Sequence, residues 1–321
     1  MTEFTASRAD EPNPDVQEFL QLYNSMDMPE MHELPPEQAR QVQEEFATAP
    51  VGIDLPSVED RTIDGPNGEI PIRIYEPRAE PDGDDPLLLF FHGGGFVIGS
   101  IDTHDGPCRT LAKETGYPIV SVDYRLAPEH PFPAGLQDCY AALEWAAEDA
   151  GELNATPERL VVAGDSAGAN LATAVAMLAQ ERDGPDIDYQ VLIYPVAGNA
   201  RETEAFEQNG EGYFLTAELM EWFHDHYVKT DIDEGNVYVQ PRLARDLSWP
   251  PPATVITAGY DPLRDDGAAY AQQLAEDGVD VTHHNFEGMI HGFFNMIAPP
   301  ADLSGAQQAY DAIVADLDRA L

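Results

Sequence analysis

The chain has 321 residues, 43% of them hydrophobic, which is enough to bury the core of one domain with an inserted or appended part. Its 59 Asp plus Glu residues against 16 Lys plus Arg give a net charge of −43, which repels phosphate backbones, so a nucleic-acid partner is not expected. No run of about 18 apolar residues occurs, and the first residues lack a basic start followed by an apolar stretch, so we expect no membrane span, no secretory signal and a cytoplasmic location.

Residues 1–50 are predicted to form an attached helical segment. One apolar helical face is built from Val16, Phe19, Leu20, Leu22 and Tyr23. A second helix is expected over residues 36–46, with a proline in its first turn. Three methionines between these helices either line an adaptable acyl pocket or fill gaps in a packed cap, and they are Met26, Met28 and Met31.

Residues 51–195 change to strand patterns and are predicted to form the first part of an α/β core. Segments 58–63 and 69–75 flank Gly-Pro-Asn-Gly, a turn signal that predicts an antiparallel hairpin. After the buried-strand run at 87–91, helical and strand patterns alternate, which predicts a mainly parallel sheet covered on both faces. A buried charge network is predicted in the proline-rich segment that follows residue 122, formed by Asp123, Arg125 and Glu129.

Two glycine motifs follow strands of this core. Residues 92–96 read His-Gly-Gly-Gly-Phe, and the glycines allow backbone N–H groups to converge on an oxyanion, with a flexible loop as the alternative. Residues 164–168 read Gly-Asp-Ser-Ala-Gly between an apolar strand and a helix. In this G-x-S-x-G pattern a strained turn exposes the Ser166 hydroxyl, whereas the alternative is an ordinary glycine-rich turn.

Residues 196–247 interrupt the alternation of strands and helices. They are predicted to be an insertion with a helix at 217–227, which covers a pocket together with residues 1–50. His224 and His226 are two apart and point to different faces of that helix, so a metal site is not expected there.

Residues 248–321 are predicted to complete the core. A strand at 253–258 is followed by Asp261, and a strand at 279–286 is followed by a loop that contains His291. The chain is expected to close with a helix from about residue 305 to residue 321. Ser166, Asp261 and His291 thus have the chain order of an α/β-hydrolase triad and follow the ends of strands.

Other acids and histidines compete for the same roles. Asp265 and Asp266 begin the next helix and are expected to cap it. His283 and His284 lie inside a strand, where alternation points one inward and one outward and neither reaches the loop edge. His130, the remaining histidine considered, lies in the proline-rich segment and is expected to have a structural role.

Together these motifs resemble the microbial hormone-sensitive-lipase family of carboxylesterases. The resemblance covers nearly the whole chain and is carried by residues 92–96, 124–129, 164–168, 261–265 and 291–293. It implies an α/β-hydrolase fold with a mostly parallel eight-stranded sheet flanked by helices. It also implies a helical cap made of residues 1–50 and 196–247. Ala169 departs from the family pattern, which commonly has glycine at this position.

The resemblance also implies roles for single residues. Ser166 is the nucleophile, His291 the base and Asp261 the acid that orients it. The implied oxyanion donors are the N–H groups of Gly94, Gly95 and Ala167. The motif residues expected to support that loop are His92 and Gly93. The reaction needs no cofactor or metal, and its rate is expected to fall as pH drops through the histidine range, about 6 to 7.

The implied function is a serine carboxylesterase that acts on small esters of short to medium acyl chain length. An amidase or deacetylase on the same triad and a non-catalytic ligand receptor are the alternatives, although such receptors tend to lose the histidine retained here as His291. A monomer or a homodimer is expected. The excess of acidic residues predicts a halophilic protein, because salt screens self-repulsion. Cys108 and Cys139 are expected to be reduced, with a single bridge as the alternative.

Overall fold

A computed structural model describes residues 4–26, 29–47, 52–80, 83–153 and 155–321. Both predicted N-terminal helices are present, α1 at Pro14–Ser25 and α2 at Pro36–Ala47. Proline opens each of them, at a position where its missing N–H costs no helical hydrogen bond. Met28, one of the three methionines between these helices, lies outside the described residues.

Within the described residues, eight strands form the main sheet. In chain order they are β1 (Ser57–Gly65), β2 (Gly68–Glu76), β3 (Asp85–Phe91), β4 (Ile119–Val122), β5 (Ala155–Asp165), β6 (Tyr189–Ile193), β7 (Ala253–Tyr260) and β8 (Val281–Ile290). Their spatial order is β1-β2-β4-β3-β5-β6-β7-β8. β2 is antiparallel to both of its neighbours and the other pairs are parallel, so the predicted hairpin and mainly parallel eight-stranded sheet are confirmed.

The remaining α-helices of the described residues connect these strands, lie between β6 and β7, or follow β8. They are α3 (Asp105–Thr115), α4 (Ala134–Asp149), α5 (Ala167–Glu181), α6 (Glu204–Asn209), α7 (Ala217–Tyr227), α8 (Asp231–Glu234), α9 (Arg264–Glu276) and α10 (Ser304–Ala320). Short 3₁₀ turns occur at Met31–Glu33, Ala150–Leu153, Ala200–Glu202, Pro241–Leu243 and Phe293–Asn295. None of the helices within the described residues has both the length and the apolar character required to cross a bilayer.

The sheet has a hydrophobic core on each face, because successive side chains of a strand point in opposite directions. In β3, Leu87, Leu89 and Phe91 join the core that contains α4, α5 and α9. Leu88 and Phe90 join the core that contains α1, α3 and α10. The continuous apolar run at 87–91 therefore reflects burial of both faces, as predicted.

The parallel strands bring three distant residues to one edge of the sheet. Ser166 directly follows β5, Asp261 directly follows β7 and His291 directly follows β8. Because parallel strands share one carboxyl edge, residues far apart in sequence become neighbours there.

The end of the sheet differs from the prediction in two ways. β8 runs to Ile290 instead of ending near residue 286, and its outer edge accepts hydrogen bonds at Glu287 and Gly288 from the N–H groups of Ala9 and Asn13, each 3.0 Å long. A small unpredicted ribbon follows, made of β9 (Ile297–Ala298) and β10 (Ala301–Asp302). The strand is extended by backbone partners from the other end of the chain, which local sequence does not report.

The predicted charge network after residue 122 is wrong. The Arg125 guanidinium pairs with the buried Asp138 of α4 at 2.7 Å, and the half-exposed Glu129 pairs with Arg40 of α2 at 2.7 Å. Asp123 instead accepts a backbone N–H bond from the segment after the glycine loop. Each charge therefore binds a partner from a different element, and the segment serves as a junction between elements.

Candidate active site

Ser166 lies at a strained turn between β5 and α5. Its backbone has φ 55° and ψ −116°, a conformation that non-glycine residues rarely adopt. A Cβ at Gly164 would lie 2.4 Å from the backbone of Gly168, and a Cβ at Gly168 would lie 1.9 Å from the carbonyl oxygen of Phe91. Only glycine fits at either position, which explains the G-x-S-x-G pattern and the outward position of the serine hydroxyl.

The three predicted triad residues form a continuous chain of hydrogen bonds. His291 Nε2 lies 3.0 Å from Ser166 Oγ, and His291 Nδ1 lies 2.7 Å from Asp261 Oδ2. The other carboxylate oxygen of Asp261 accepts the Leu263 N–H at 2.8 Å, which fixes the orientation of the acid. Asp261 is fully buried and His291 is 7% exposed. This geometry suits transfer of the serine proton to Nε2 while Nδ1 keeps its own proton.

The two rival acids, Asp265 and Asp266, bind the segment after β6 and make no contact with His291. Asp265 accepts the Ala205 N–H at 2.8 Å, and the fully buried Asp266 accepts the N–H groups of Ala197 and Gly198 at 2.8 and 2.9 Å. The predicted capping of α9 by these acids is therefore wrong, because that helix has no side-chain cap. Their carboxylates bind N–H groups of another segment instead.

The rival histidines lie away from the triad, as predicted. His283 contacts the Thr257 hydroxyl at 2.9 Å, and His284 pairs with the buried Asp316 of α10 at 2.8 Å. His130 is exposed at the surface.

The glycine loop after β3 lies beside Ser166. Gly94 and Gly95 have φ of +114° and +58°, in the region that favours glycine. The Gly93 N–H donates to the Asp165 carboxylate at 2.8 Å and is therefore occupied. Within the described part of the chain, the N–H groups of Gly94, Gly95 and Ala167 donate no hydrogen bond. These are the three amides that the family resemblance implies as oxyanion donors.

His92 supports the loop from beneath. Its ring is fully buried, stacks on the Tyr124 ring at 4.2 Å and lies 5.4 Å from the ring of His104. The Tyr124 hydroxyl donates to the His92 carbonyl oxygen at 2.7 Å. Burial, together with repulsion by His104, lowers the pKa of His92 to about 3, so its imidazole is neutral at physiological pH.

Asp165 is a functional candidate that sequence reasoning missed. This buried carboxylate accepts hydrogen bonds from Gly93 N–H at 2.8 Å and Asn295 Nδ2 at 2.9 Å, and lies 3.2 Å from His104 Nε2. Burial alone would raise its pKa, but His104 and the hydrogen bonds outweigh burial and hold the pKa of Asp165 below its usual value. Its position directly before the serine, in a motif that follows a buried strand, could have marked it as a candidate. Its three partners could not be predicted, because they lie far from it in sequence.

A cavity of about 370 Å³ opens above Ser166 and His291. Its apolar walls come from the N-terminal helices, the segment after β6 and the β9–β10 ribbon, and include Leu22, Tyr23, Met26, Met31, Phe214, Leu219, Met220, Phe223, Pro299 and Pro300. Two of the three methionines singled out in the sequence, Met26 and Met31, thus line the cavity. Pockets of this size and apolar character bind small organic molecules.

Helix α7 rests directly on the glycine loop. A Cβ at Gly95 would lie 2.1 Å from the Phe223 ring, so the ring packs against the bare backbone. Phe96 stacks on Tyr227 with ring centroids 3.8 Å apart and an interplanar angle of 6°. Aromatic stacking and close backbone contact therefore fix the position of the loop against α7.

The described residues contain no group of three or more histidine, cysteine or acidic side chains arranged to hold a metal ion. His224 pairs with Glu234 at 2.6 Å, and His226 Nδ1 lies 2.7 Å from the Trp222 carbonyl oxygen.

The fully buried His92 and the partly buried His283 make stability depend on pH. Burial, with His284 nearby, lowers the pKa of His283 to about 4, and His92 behaves similarly. An unfolded histidine titrates near about 6.5, so below that pH the unfolded state binds more protons and the unfolding free energy falls. We expect it to fall by up to about 1.4 kcal/mol per pH unit for each histidine until the native-state pKa is reached. Urea unfolding at about pH 7, 6 and 5 measures this dependence.

The effect of one histidine is isolated by comparing variants. A His283→Gln variant should lose stability less steeply than the wild type as pH falls, by about 1.4 kcal/mol per pH unit. The exposed His130 provides the control, because His130→Gln should follow the wild-type curve. Parallel curves for wild type and His283→Gln would contradict the prediction.

A mainly parallel sheet that carries a serine, an acid and a histidine in this order at its carboxyl edge defines an α/β hydrolase. The chain belongs to the family described as alpha/beta hydrolase fold, whose model matches residues 88–295. It is 40% identical over 269 residues to the carboxylic ester hydrolase LipN of Mycobacterium tuberculosis, covering 82% of this chain and 71% of that protein. It is 36% identical to the ethyl acetate hydrolase of Pseudomonas putida, over 88% of this chain and 92% of that protein.

Among solved structures, a hyperthermophilic esterase from Pyrobaculum calidifontis superimposes with a TM-score of 0.88 at 38% sequence identity. The match covers 96% of this chain and 98% of the other. These similarities agree with the site, and the chain is a carboxylic ester hydrolase of the α/β-hydrolase fold.

Proposed function

We propose that the chain hydrolyses carboxylic esters through a Ser166–His291–Asp261 triad and an acyl-enzyme intermediate. The observation that carries the proposal is the pair of contacts at His291, 3.0 Å to Ser166 Oγ and 2.7 Å to Asp261 Oδ2. A serine is a weak nucleophile at its ordinary pKa, and a base within hydrogen-bond distance is what activates it.

The reaction proceeds in two acyl transfers. His291 Nε2 accepts the serine proton as Ser166 Oγ attacks the ester carbonyl carbon. Collapse of the tetrahedral intermediate expels the alcohol, which takes the proton from Nε2, and leaves the acyl group on Oγ. A water molecule then attacks the acyl carbon while Nε2 accepts its proton. As the bond between Oγ and the acyl carbon breaks, Oγ takes that proton from Nε2, which releases the carboxylic acid and restores both the serine hydroxyl and the neutral imidazole.

The amides of Gly94, Gly95 and Ala167 are proposed to stabilise the oxyanion in both steps. Each such donor typically contributes about 3 to 4 kcal/mol to transition-state stabilisation. Asp165 is proposed to position this loop, because its carboxylate directly precedes the nucleophile and accepts the N–H of Gly93. Gly93 is proposed to support the loop through this hydrogen bond, and His92 through its stacking on Tyr124. Neither residue is proposed to contact the reacting atoms.

Residues 1–50 and 196–247 are proposed to form a cap, and residues 51–195 and 248–321 the hydrolase core. Side chains from both parts of the cap line the cavity above Ser166. Hydrogen bonds between the two parts support the assignment. Arg40 of α2 donates to the carbonyl oxygens of Val97 and Ala127, each at 2.8 Å, and so links the N-terminal segment to the core beside the glycine loop.

We expect short- to medium-chain esters to be the best substrates. The relative from Pseudomonas putida is named for hydrolysis of ethyl acetate, and the cavity of about 370 Å³ is of the size that suits small ligands. The test is a series of p-nitrophenyl esters from acetate to palmitate in concentrated KCl. Highest kcat/KM between acetate and octanoate is the expected result, and a rise continuing to palmitate would contradict it. A matched amide should be cleaved far more slowly than its ester.

The protein is proposed to be salt-adapted and cytoplasmic. Its 59 acidic residues exceed its 16 basic ones by 43, so self-repulsion opposes the folded state at low ionic strength. Both cysteines, Cys108 and Cys139, are buried free thiols, which fits a reducing compartment. The proposed partners are small ester substrates and neither nucleic acid nor membrane. The monomeric or homodimeric state stays a prediction.

Salt should raise the thermal stability. Between about 0.1 M and 3 M KCl the screening length falls from about 10 Å to below about 3 Å, so repulsion between exposed carboxylates weakens. We expect the unfolding midpoint to rise by at least about 5 °C, equivalent to about 2 kcal/mol for a large domain. Near pH 4 about half of the carboxylates are protonated, and the salt effect should shrink there. An unchanged midpoint at neutral pH would remove the proposal.

A further inference from the structure

The cavity wall carries few charged side chains, in contrast to the acidic composition of the chain. Among the described residues that line the cavity, three carry a formal charge, and they are Asp165, Arg201 and Glu234. The composition, with 59 acidic and 16 basic residues, would favour a strongly acidic wall.

The two acids of the wall are engaged. Asp165 accepts hydrogen bonds from Gly93 and Asn295 and contacts His104. Glu234 pairs with His224 at 2.6 Å. The negative charges that face the cavity are therefore neutralised in part by their own partners.

Arg201 is different. It is exposed, lines the cavity and makes no hydrogen bond or ion pair with any residue in the described part of the chain. The acids beside it in sequence bind elsewhere: Glu202 accepts from Asn199 Nδ2 at 3.1 Å and Glu204 accepts from Gln208 Nε2 at 2.5 Å. A guanidinium at the rim thus remains available, although its neighbours are acidic.

The backbone that carries Arg201 is fixed relative to the nucleophile. Asn170 of α5, four residues after Ser166, donates to the Val196 carbonyl oxygen at 2.9 Å. The fully buried Asp266 holds the next two N–H groups of the same segment. A 3₁₀ turn at Ala200–Glu202 with a buried first residue then presents Arg201 at the rim. Anchoring of this kind gives a binding group a defined position relative to the reacting atoms.

From this arrangement we propose that Arg201 binds a carboxylate of the substrate, and that the enzyme accepts esters that carry a free carboxylate beside the scissile ester. A planar guanidinium pairs with a carboxylate through two parallel hydrogen bonds. The net charge of −43 repels anions from the protein, and a cation at the entrance offsets that repulsion where substrate enters. This proposal rests on the esterase function proposed above.

The test compares anionic esters with neutral twins in about 1 M KCl, where direct contacts persist but long-range repulsion is screened. With the carboxylate in the acyl part, the pair is 4-nitrophenyl hydrogen glutarate and 4-nitrophenyl valerate. With the carboxylate in the alcohol part, the pair is 4-acetoxybenzoate and 4-methylphenyl acetate. The readout is the ratio of kcat/KM for the anionic ester to that for its twin.

Arg201→Gln should lower that ratio about threefold to tenfold in at least one pair, and the pair affected identifies which part of the ester reaches Arg201. Arg201→Lys keeps the positive charge but cannot donate two parallel hydrogen bonds, so its ratio should lie between those of the wild type and Arg201→Gln. The control is Arg245→Gln, which removes the same charge from an exposed arginine outside the cavity and should leave both ratios unchanged.

Two results would overturn the proposal: unchanged ratios in Arg201→Gln for both pairs, or an equal change in Arg245→Gln, which would indicate a general charge effect. Both are distinct from failure of the esterase function, in which the wild type would cleave neither the anionic nor the neutral esters.

Discussion

Replacing Ser166 with alanine is expected to lower kcat for p-nitrophenyl butyrate by about 10⁴-fold to 10⁶-fold. The substitution removes the only atom in the hydrogen-bonded chain that can form the acyl-enzyme, Oγ, which lies 3.0 Å from His291 Nε2. The residual rate over water would come from the oxyanion donors and from substrate binding. Initial rates of nitrophenolate release measure the effect.

The folded state should survive this change. Alanine deletes one hydroxyl and creates no close contact, so the unfolding free energy should change by no more than about 1 kcal/mol. Ser248→Ala, at an exposed serine outside the cavity, is the matched control and should retain wild-type activity. Activity of Ser166→Ala within about 100-fold of the wild type would mean that another group is the nucleophile.

Asp261→Asn is expected to lower kcat by about 10⁴-fold with little change in KM. The amide has nearly the shape of the carboxylate and can still accept the Leu263 N–H through its oxygen. Its NH₂ group then faces His291 Nδ1, which must become an acceptor, so Nε2 carries the proton and cannot take one from Ser166. The loss thus comes from the wrong tautomer in an unchanged site.

Asp265→Asn is the matched control for this acid. Asp265 lies four positions further along the chain and binds Ala205 N–H and the Arg264 guanidinium, away from His291. Its activity loss should stay below about tenfold. A larger loss in Asp265→Asn than in Asp261→Asn would exchange the roles of the two acids.

The triad positions could be predicted from sequence because each depends on local rules. The glycines around Ser166 report a close approach of strand and helix, and Asp261 and His291 follow apolar runs that read as strands. Parallel pairing then forces the three loops to one edge of the sheet. Helices α1 and α7 could also be predicted, because each carries a helical apolar pattern, and α2 could be predicted from the proline in its first turn.

Contacts between distant segments could not be predicted in the same way. The partners of Asp165 come from residues 93, 104 and 295, and those of Asp266 from the segment after β6. Local rules assigned helix capping to Asp266 because aspartate is a common N-cap residue. Tertiary hydrogen bonds compete with that local preference, and the fold alone decides which of them form.

The contact between α7 and the glycine loop has a consequence for engineering. Phe223 packs on Gly95, and Tyr227 stacks on Phe96, so residues 196–247 and the loop share one packed surface. Residues 196–247 are therefore not an interchangeable module. A chimaera that received this segment from a homologue without matching aromatic rings would shift the loop amides that are proposed to bind the oxyanion. Attempts to alter substrate range by exchanging the segment would then alter turnover as well, unless residues 92–99 were exchanged with it.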